Sequence, residues 1–444
     1  MMQHLDRGGG AQATGAGQRS ATMVALVVFL FFAWGFVTVL NDPLIAKLKS
    51  LFRLTYFEAM LTQFAFFLGY LVFSIPAGIV LGRVGYVRAI VLGLLVMALG
   101  CLGFAPAAMS GLYAGFLLAL FFVAAGITLL QVAANPYIAA LGPSTTQHSR
   151  LTLAQAFNSL GTFTGPFVGA VFLLKGGLEP TAGSDAAALE TSRLAQAASV
   201  QGPFLVMAGL LLLFALLFWL KRDVQGPRTV PASAHPFHRS VVGNPRLMLG
   251  VLSIFVYVGA EVSIGSGLTN YLMQDSVLGA HAVALGGHYH FNVAQVAGSM
   301  VSVYWGLAMV GRFFGSLVLA RVSPGKVLCC NAVAAAVLAF MSAHTVGTTA
   351  AVAVLAIGLA NSIMFPTIFT LALEGLGEAT ANASALLCMA IVGGAIIPLI
   401  YGATADVIGL GHALIVPACC YIVIALYGLL AANDFLAASR QDCV

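Results

Sequence analysis

The chain has 444 residues, of which 60% are hydrophobic and only 7% charged, with a formal net charge of +5 and a mean hydropathy of +1.00. A soluble domain carries about 25% charged residues, and so few charges cannot cover a soluble surface of this size. That excludes a cytosolic enzyme, a nucleic-acid binder, a disordered chain and a secreted disulfide scaffold, and leaves a polytopic membrane protein.

A spanning helix needs about 20 mostly apolar residues. Such segments fall at 22–46, 57–82, 86–107, 110–140, 151–174 and 203–220, then at 247–272, 294–319, 326–344, 347–373, 381–404 and 411–431. The sequence therefore predicts an all-α membrane protein with twelve transmembrane helices in two groups of six. The 49 glycines suit close helix approach in a bilayer. Residues 1–20 lack an apolar run of their own and read as a disordered cytoplasmic tail rather than a signal peptide. Residues 21–220 form the first six-helix bundle, 221–246 a cytoplasmic linker, 247–432 the second bundle and 433–444 a second cytoplasmic tail. The linker carries Lys221, Arg222, Arg228, Arg239 and Arg246 against one acid, Asp223, and also Pro227, Pro231, Pro236 and Pro245.

An even number of spans puts both termini and the linker on one side, and the basic linker makes that side the cytoplasm. Most of the 19 basic residues then lie inside. Lys47, Lys49 and Arg53 run against the rule. They are expected to cap a long, tilted first helix at the outer interface, where lysine can snorkel. The cysteines show no metal-ligand spacing and read as packing residues. His281, His288 and His290 lie in the loop between spans 7 and 8, which is Gly-rich and reads as a solvated loop rather than a metal site.

The two groups of six are related by an internal repeat. Span 2 ends in PAGIVLGRVGYVR and span 8 in GRFFGSLVLARVSPGK, both followed by basic loops. One shift places Gln131 of QVAANPY on Asn361 of NSIMFPT, and Pro136 on Pro366. A shift two residues longer places Gly161 and Pro166 on Gly393 and Pro398. Together with FFAWGFVTVLNDPLI, QFAFFLGYLVFSIPAG, LQVAANPYIAALGP and RLTLAQAFNSLGT, these features resemble the fucose permease and glucose/galactose transporter family of the major facilitator superfamily. YVGAEVSIGSGLTNYL, NSIMFPTIFTLALEGLGEAT and AIVGGAIIP are more similar to its sugar branch. The resemblance runs from about residue 22 to 430. It implies the major facilitator fold and a symporter importing a hexose such as glucose or galactose with H⁺ or Na⁺, with no other cofactor. Fucose, mannose and N-acetylglucosamine stay open as substrates. The implied setting is the bacterial cytoplasmic membrane, as a functional monomer without a nucleic-acid partner. The loop after span 2 departs from the superfamily pattern, with Gly82 where many relatives place an aspartate.

Ionisable residues in mid-membrane cost at least a few kcal/mol unless paired or wet, so each polar residue in these helices calls for a role. In span 1, Trp34, Thr38, Asn41 and Asp42 share a helical face. An indole beside amide and carboxylate groups suits a sugar, the ring packing on C–H faces while polar groups hold hydroxyls. The alternative is that Asn41, Asp42 and Pro43 merely end the helix. In the resembled family the acid matching Asp42 is associated with coupling and substrate binding.

Span 4 offers Gln131 and Asn135 before Pro136. The fucose branch has a glutamate implicated in proton coupling at the position of Gln131; an amide there cannot titrate. Span 5 offers Gln155 and Asn158, with Ser159 and Thr162, as sugar contacts or as interhelical hydrogen-bond glue. The repeat shift maps Gln155 on Leu387 and Asn158 on Ala390, so sugar contacts are expected to lean to the first half. The second half adds Glu261, Asn270 and Asn361. Asp42 and Glu261 are the candidate coupling acids. Arg312 is expected to pair with Glu374 or Glu378 as a gate latch, and Arg83 belongs to the gating loop after span 2.

A non-transporting membrane sugar sensor would be expected to have lost these polar faces. An enzyme would need a catalytic constellation, and none is present in the sequence.

Overall fold

The computed structural model is described over residues 9–141, 147–175, 186–222, 243–279, 291–319, 321–374, 376 and 380–441. Among them, twelve helical segments are long and apolar enough to cross a membrane. Spans 1 to 6 are Thr22–Phe52, Tyr56–Val84, Tyr86–Ser110, Tyr113–Asn135, Leu153–Leu173 and Val200–Leu220. Spans 7 to 12 are Pro245–Leu272, Val293–Leu319, Pro324–His344, Gly347–Leu373, Leu386–Ile408 and Leu410–Asn433. The chain is a multi-pass membrane protein.

Most boundaries fall within a few residues of expectation; span 1 runs on to Phe52 rather than 46, and span 11 begins at Leu386 rather than 381. The helix that becomes span 1 starts at Gly9, inside the segment expected as a disordered tail. Residues 9–21 contain no proline, and extending an existing helix costs far less than nucleating one. Likewise the last helix runs on to Gln441, into the expected C-terminal tail. Span 7 begins two residues early, because Asn244 caps it by accepting the Leu247 N–H at 3.1 Å and Pro245 fills the first helical position.

The sequence repeat reappears as packing. Within the first half, span 1 lies on span 5, span 2 on span 4, and span 3 on spans 4 and 6; within the second, span 7 lies on span 11, span 8 on span 10, and span 9 on spans 10 and 12. Each pairing recurs six spans later. The aligned glycines explain one of these pairs. A Cβ on Gly161 would overlap the Phe32 carbonyl of span 1, and a Cβ on Gly393 would overlap the Phe255 carbonyl of span 7. Backbones this close tolerate only glycine, the small-residue packing that membrane helices use.

The halves meet along two long seams, span 2 on span 11 and span 5 on span 8, and again where the far-face part of span 1 lies on span 7. Residues 221, 222, 243 and 244 lie at one end of the bundle, here the linker face; residues 53–55, 111–112 and 345–346 lie at the other, the far face. Span 1 does reach the far face, ending at Arg53 in a left-handed conformation (φ 52°) whose N–H closes the helix on Lys49 and Ser50. Lys49 sits over the Tyr56 ring at 4.1 Å. Lys47, expected to snorkel, is instead fully buried, because the far-face part of span 1 runs between the two halves, packed on span 2, span 5 and span 7.

Candidate functional site at the centre of the two halves

Two helices that bear site residues are broken in mid-span. Span 1 breaks at Leu40, between helices ending at Val39 and starting at Asn41. Pro43 has no N–H for the carbonyl four residues back, which loosens the turn. Asn41 and Asp42 stand at this break, 3% and 5% exposed, with helix continuing to Phe52. They lie inside the protein rather than at the end of the helix. Span 10 breaks after Asn361 and resumes at Met364. There Pro366 frees the Ser362 carbonyl, which accepts from Arg312 Nε at 3.4 Å.

Around these breaks the structure gathers three polar groups. In the first half, Gln131 Nε2 donates to the Tyr70 hydroxyl at 3.2 Å. The same hydroxyl meets the Trp34 and Thr38 side chains, while Thr38 also donates to the Trp34 carbonyl at 3.0 Å. Near them Asn135 and Gln155 approach to 3.5 Å, with Gln155 exposed. An indole, a phenol and three amides thus converge from spans 1, 2, 4 and 5.

In the second half, the Tyr257 hydroxyl donates to Glu261 Oε1 at 2.8 Å and lies 3.1 Å from the backbone carbonyl of Asn361. Asn361 Nδ2 in turn donates to the Tyr304 hydroxyl at 2.9 Å, and the Tyr304 ring meets Trp305 edge-on at 5.4 Å.

The third group joins the halves. Trp305 Nε1 of span 8 donates to Asp42 Oδ2 of span 1 at 3.1 Å. Asn41 Nδ2 donates to Gln63 Oε1 at 2.9 Å, and Gln63 Nε2 to Ser266 Oγ of span 7 at 2.6 Å. Nearer the linker face, Arg312 Nη1 of span 8 donates to Ser159 Oγ of span 5 at 2.8 Å. Contacts through Trp305, Tyr304, Asn361 and Tyr257 connect Asp42 to Glu261.

Several expectations are revised. Asn158 donates to the Phe31 carbonyl at 3.1 Å and ties span 5 to span 1. The Gly35 and Gly161 contacts bring the two backbones within its reach. Asn270 lies one helical turn beyond Ser266, about 6 Å along the axis toward the far face, and its buried Nδ2 has no hydrogen-bond partner.

Arg312 and Glu374 do not pair. Glu374 forms its ion pair with Arg246 at the start of span 7, since both stand at the linker-face ends of neighbouring helices. Arg312 instead turns to Ser159 and to the carbonyl that Pro366 frees. Arg83 stands exposed at the linker-face end of span 2. Glu378 and His281, His288 and His290 lie outside the described residues.

Gln63, Tyr70, Ser266, Tyr304 and Trp305 are site residues that the sequence reading missed. A signal existed for two pairs. Gln63 and Tyr70 are spaced i, i+7, as are Trp305 and Arg312, so each pair shares a helical face.

Two six-helix bundles related by a repeat, with broken helices and polar side chains meeting between them, define a secondary transporter of the alternating-access type. The Major Facilitator Superfamily model matches residues 22–398, and the chain belongs to that superfamily. It is 46% identical over 408 residues to a glucose/galactose transporter of Brucella abortus biovar 1 (strain 9-941), covering 92% of this chain and 93% of that one. It is 34% identical over 426 residues to the L-fucose-proton symporter of Escherichia coli (strain K12), covering 93% and 94%. The crystal structure of the transporter FucP in the outward conformation aligns with a TM-score of 0.66 at 30% identity, over 93% of this chain and 99% of that one.

Proposed function

We propose that this protein is a cation-coupled hexose symporter, importing glucose or galactose by alternating access about one central site. The observation that carries the reading is the hydrogen bond from Trp305 to Asp42 between the halves, beside the cluster of Trp34, Tyr70, Gln131, Asn135 and Gln155. In that cluster the rings offer apolar faces to sugar C–H groups and the amides both donate to and accept from hydroxyls. The similarity to glucose/galactose transporters supports the choice of hexose. Asp42 and Glu261 carry the coupling. A carboxylate held away from water and opened to each side in turn gains from binding a proton or Na⁺, because an uncompensated buried charge is costly. Gln131 cannot titrate and serves hydroxyl recognition. The linker face is cytoplasmic, the membrane is the bacterial inner membrane, and the working unit is one chain.

The test is uptake of radiolabelled sugars into proteoliposomes, with Na⁺ and pH gradients imposed separately. Concentrative uptake of glucose or galactose under one gradient is expected. No accumulation of any hexose under either gradient would overturn the reading.

A further inference from the structure

A helix leaves its first N–H groups and its last carbonyls without partners, and the chain usually supplies local caps for them. At the far face of this protein, part of the capping comes from the opposite half. Span 2 starts with its own capping box, in which Thr55 Oγ1 accepts from Glu58 N at 3.1 Å and Glu58 Oε2 accepts from Thr55 N at 2.9 Å. The next two donors, Tyr56 N and Phe57 N, go to Asp406 Oδ1 and Oδ2 of span 11 at 2.7 and 2.9 Å.

The other seam shows the converse arrangement. Asn292 and Gln295 form a reciprocal box at the start of span 8, Gln295 N to Asn292 Oδ1 at 2.8 Å and Asn292 N to Gln295 Oε1 at 3.1 Å. Their spare amide groups donate to the last carbonyls of span 5, Gln295 Nε2 to Val171 at 3.0 Å and Asn292 Nδ2 to Leu174 at 2.9 Å. An anion thus meets the positive end of span 2, and two donors meet the negative end of span 5.

Both seams are built for close approach. A Cβ on Gly402, one turn before Asp406, would stand 2.7 Å from the Tyr56 carbonyl oxygen, and one on Gly298 would stand 2.8 Å from the Leu174 side chain. Lys49 lies within electrostatic reach of Asp406, which gives the basic residues at the end of span 1 a place in this layer.

We infer that this exchange of helix caps is the far-face gate: Asp406, Asn292 and Gln295 hold the halves together in the closed state and release them when that face opens. The inference rests on the alternating-access reading but on neither the sugar nor the ion. Opening returns four capped backbone groups to water at once, so the contact favours the closed state and disappears in the open one. The linker-face end of span 2 carries Gly82, at which an added Cβ would meet nothing within 4 Å.

Spin labels on Leu112→Cys and Val346→Cys, in the full chain with its native cysteines replaced, measure the separation of the halves across the far face. These positions are 63% and 71% exposed. Asp406→Asn keeps the shape and removes the anion. Gln295→Glu keeps the oxygen that Asn292 N needs and turns a second oxygen toward the Val171 carbonyl. Each variant is expected to raise the open-to-closed ratio about tenfold, seen as growth of a long-distance population, and the double variant more. Distance distributions that superimpose on the parent's, in whichever variants run as a monodisperse species, would overturn the gate. Sugar uptake is measured separately, so loss of the gate and loss of the transport reading give different results.

Discussion

Trp305 and Asp42 come from different halves of the repeat, 263 positions apart, and meet through one hydrogen bond of 3.1 Å between the two bundles. Any movement that separates span 8 from span 1 must break it, and any change in the charge of Asp42 must alter its strength. A hydrogen bond to a charged group is worth about 1.5–3 kcal/mol, against about 0.5–1.5 for a neutral pair. The charge state of one carboxylate is thereby tied to the position of two helix bundles.

Replacing Trp305 by Phe keeps an aromatic ring against Tyr304 and removes the donor. Accumulation of sugar under an ion gradient should fall about tenfold or more, while sugar counterflow, which needs no net ion movement, should persist. Parallel uptake and counterflow assays in proteoliposomes check this. Undiminished accumulation would separate Trp305 from coupling.

Asp42→Asn and Glu261→Gln test the two acids. An asparagine at 42 can still accept from the Trp305 indole but can no longer change charge, so the halves stay joined while coupling is lost. Each variant is expected to exchange sugar without concentrating it. If both still concentrate sugar, neither acid couples transport.

Gln155 and Asn158 sit three residues apart and should separate cleanly. Gln155 is exposed beside Asn135, so Gln155→Ala should raise KM about tenfold, leave ion dependence unchanged and barely move the Tm. Asn158→Ala should do the reverse, costing about 1 kcal/mol of stability by losing the bond to the Phe31 carbonyl and leaving KM close to the parent's. Thermal unfolding in detergent and sugar titration of uptake give both values.

Gly393→Val probes the packing. Its side chain would have to enter the Phe255 carbonyl of span 7, so spans 7 and 11 must part and the yield of monodisperse protein should collapse. Gly82→Val, placed where a Cβ meets nothing within 4 Å, should express as the parent does. Equal yields would show that the approach of spans 7 and 11 is not tight.

Much of this architecture was legible in the sequence because a bilayer imposes a length and a polarity on every span. The twelve segments, their division into halves and the alignment of Gly161 with Gly393 all follow from that constraint and from the repeat. The short set of polar residues was also legible, since a glutamine or a carboxylate in so apolar a chain stands out. Gln63 and Trp305 escaped for opposite reasons. Gln63 lies in a span read for its Gly and Pro pattern, and tryptophan is unremarkable in a membrane helix until its N–H is seen to have a partner.

The sequence by itself determined which residues share a helical face and roughly how deep each lies, because helical spacing and the span ends set both. Only the tertiary structure decided where each face points. In a bilayer, lipid and neighbouring helix are almost equally apolar, so hydrophobic patterning does not fix the rotation of a helix. Rotation and depth together turned Asn158 to the span 1 backbone and Gln155 to the opening. They gave Glu374 to Arg246 and Arg312 to Ser159, and brought Asp42 under the indole of Trp305 from the other half of the repeat.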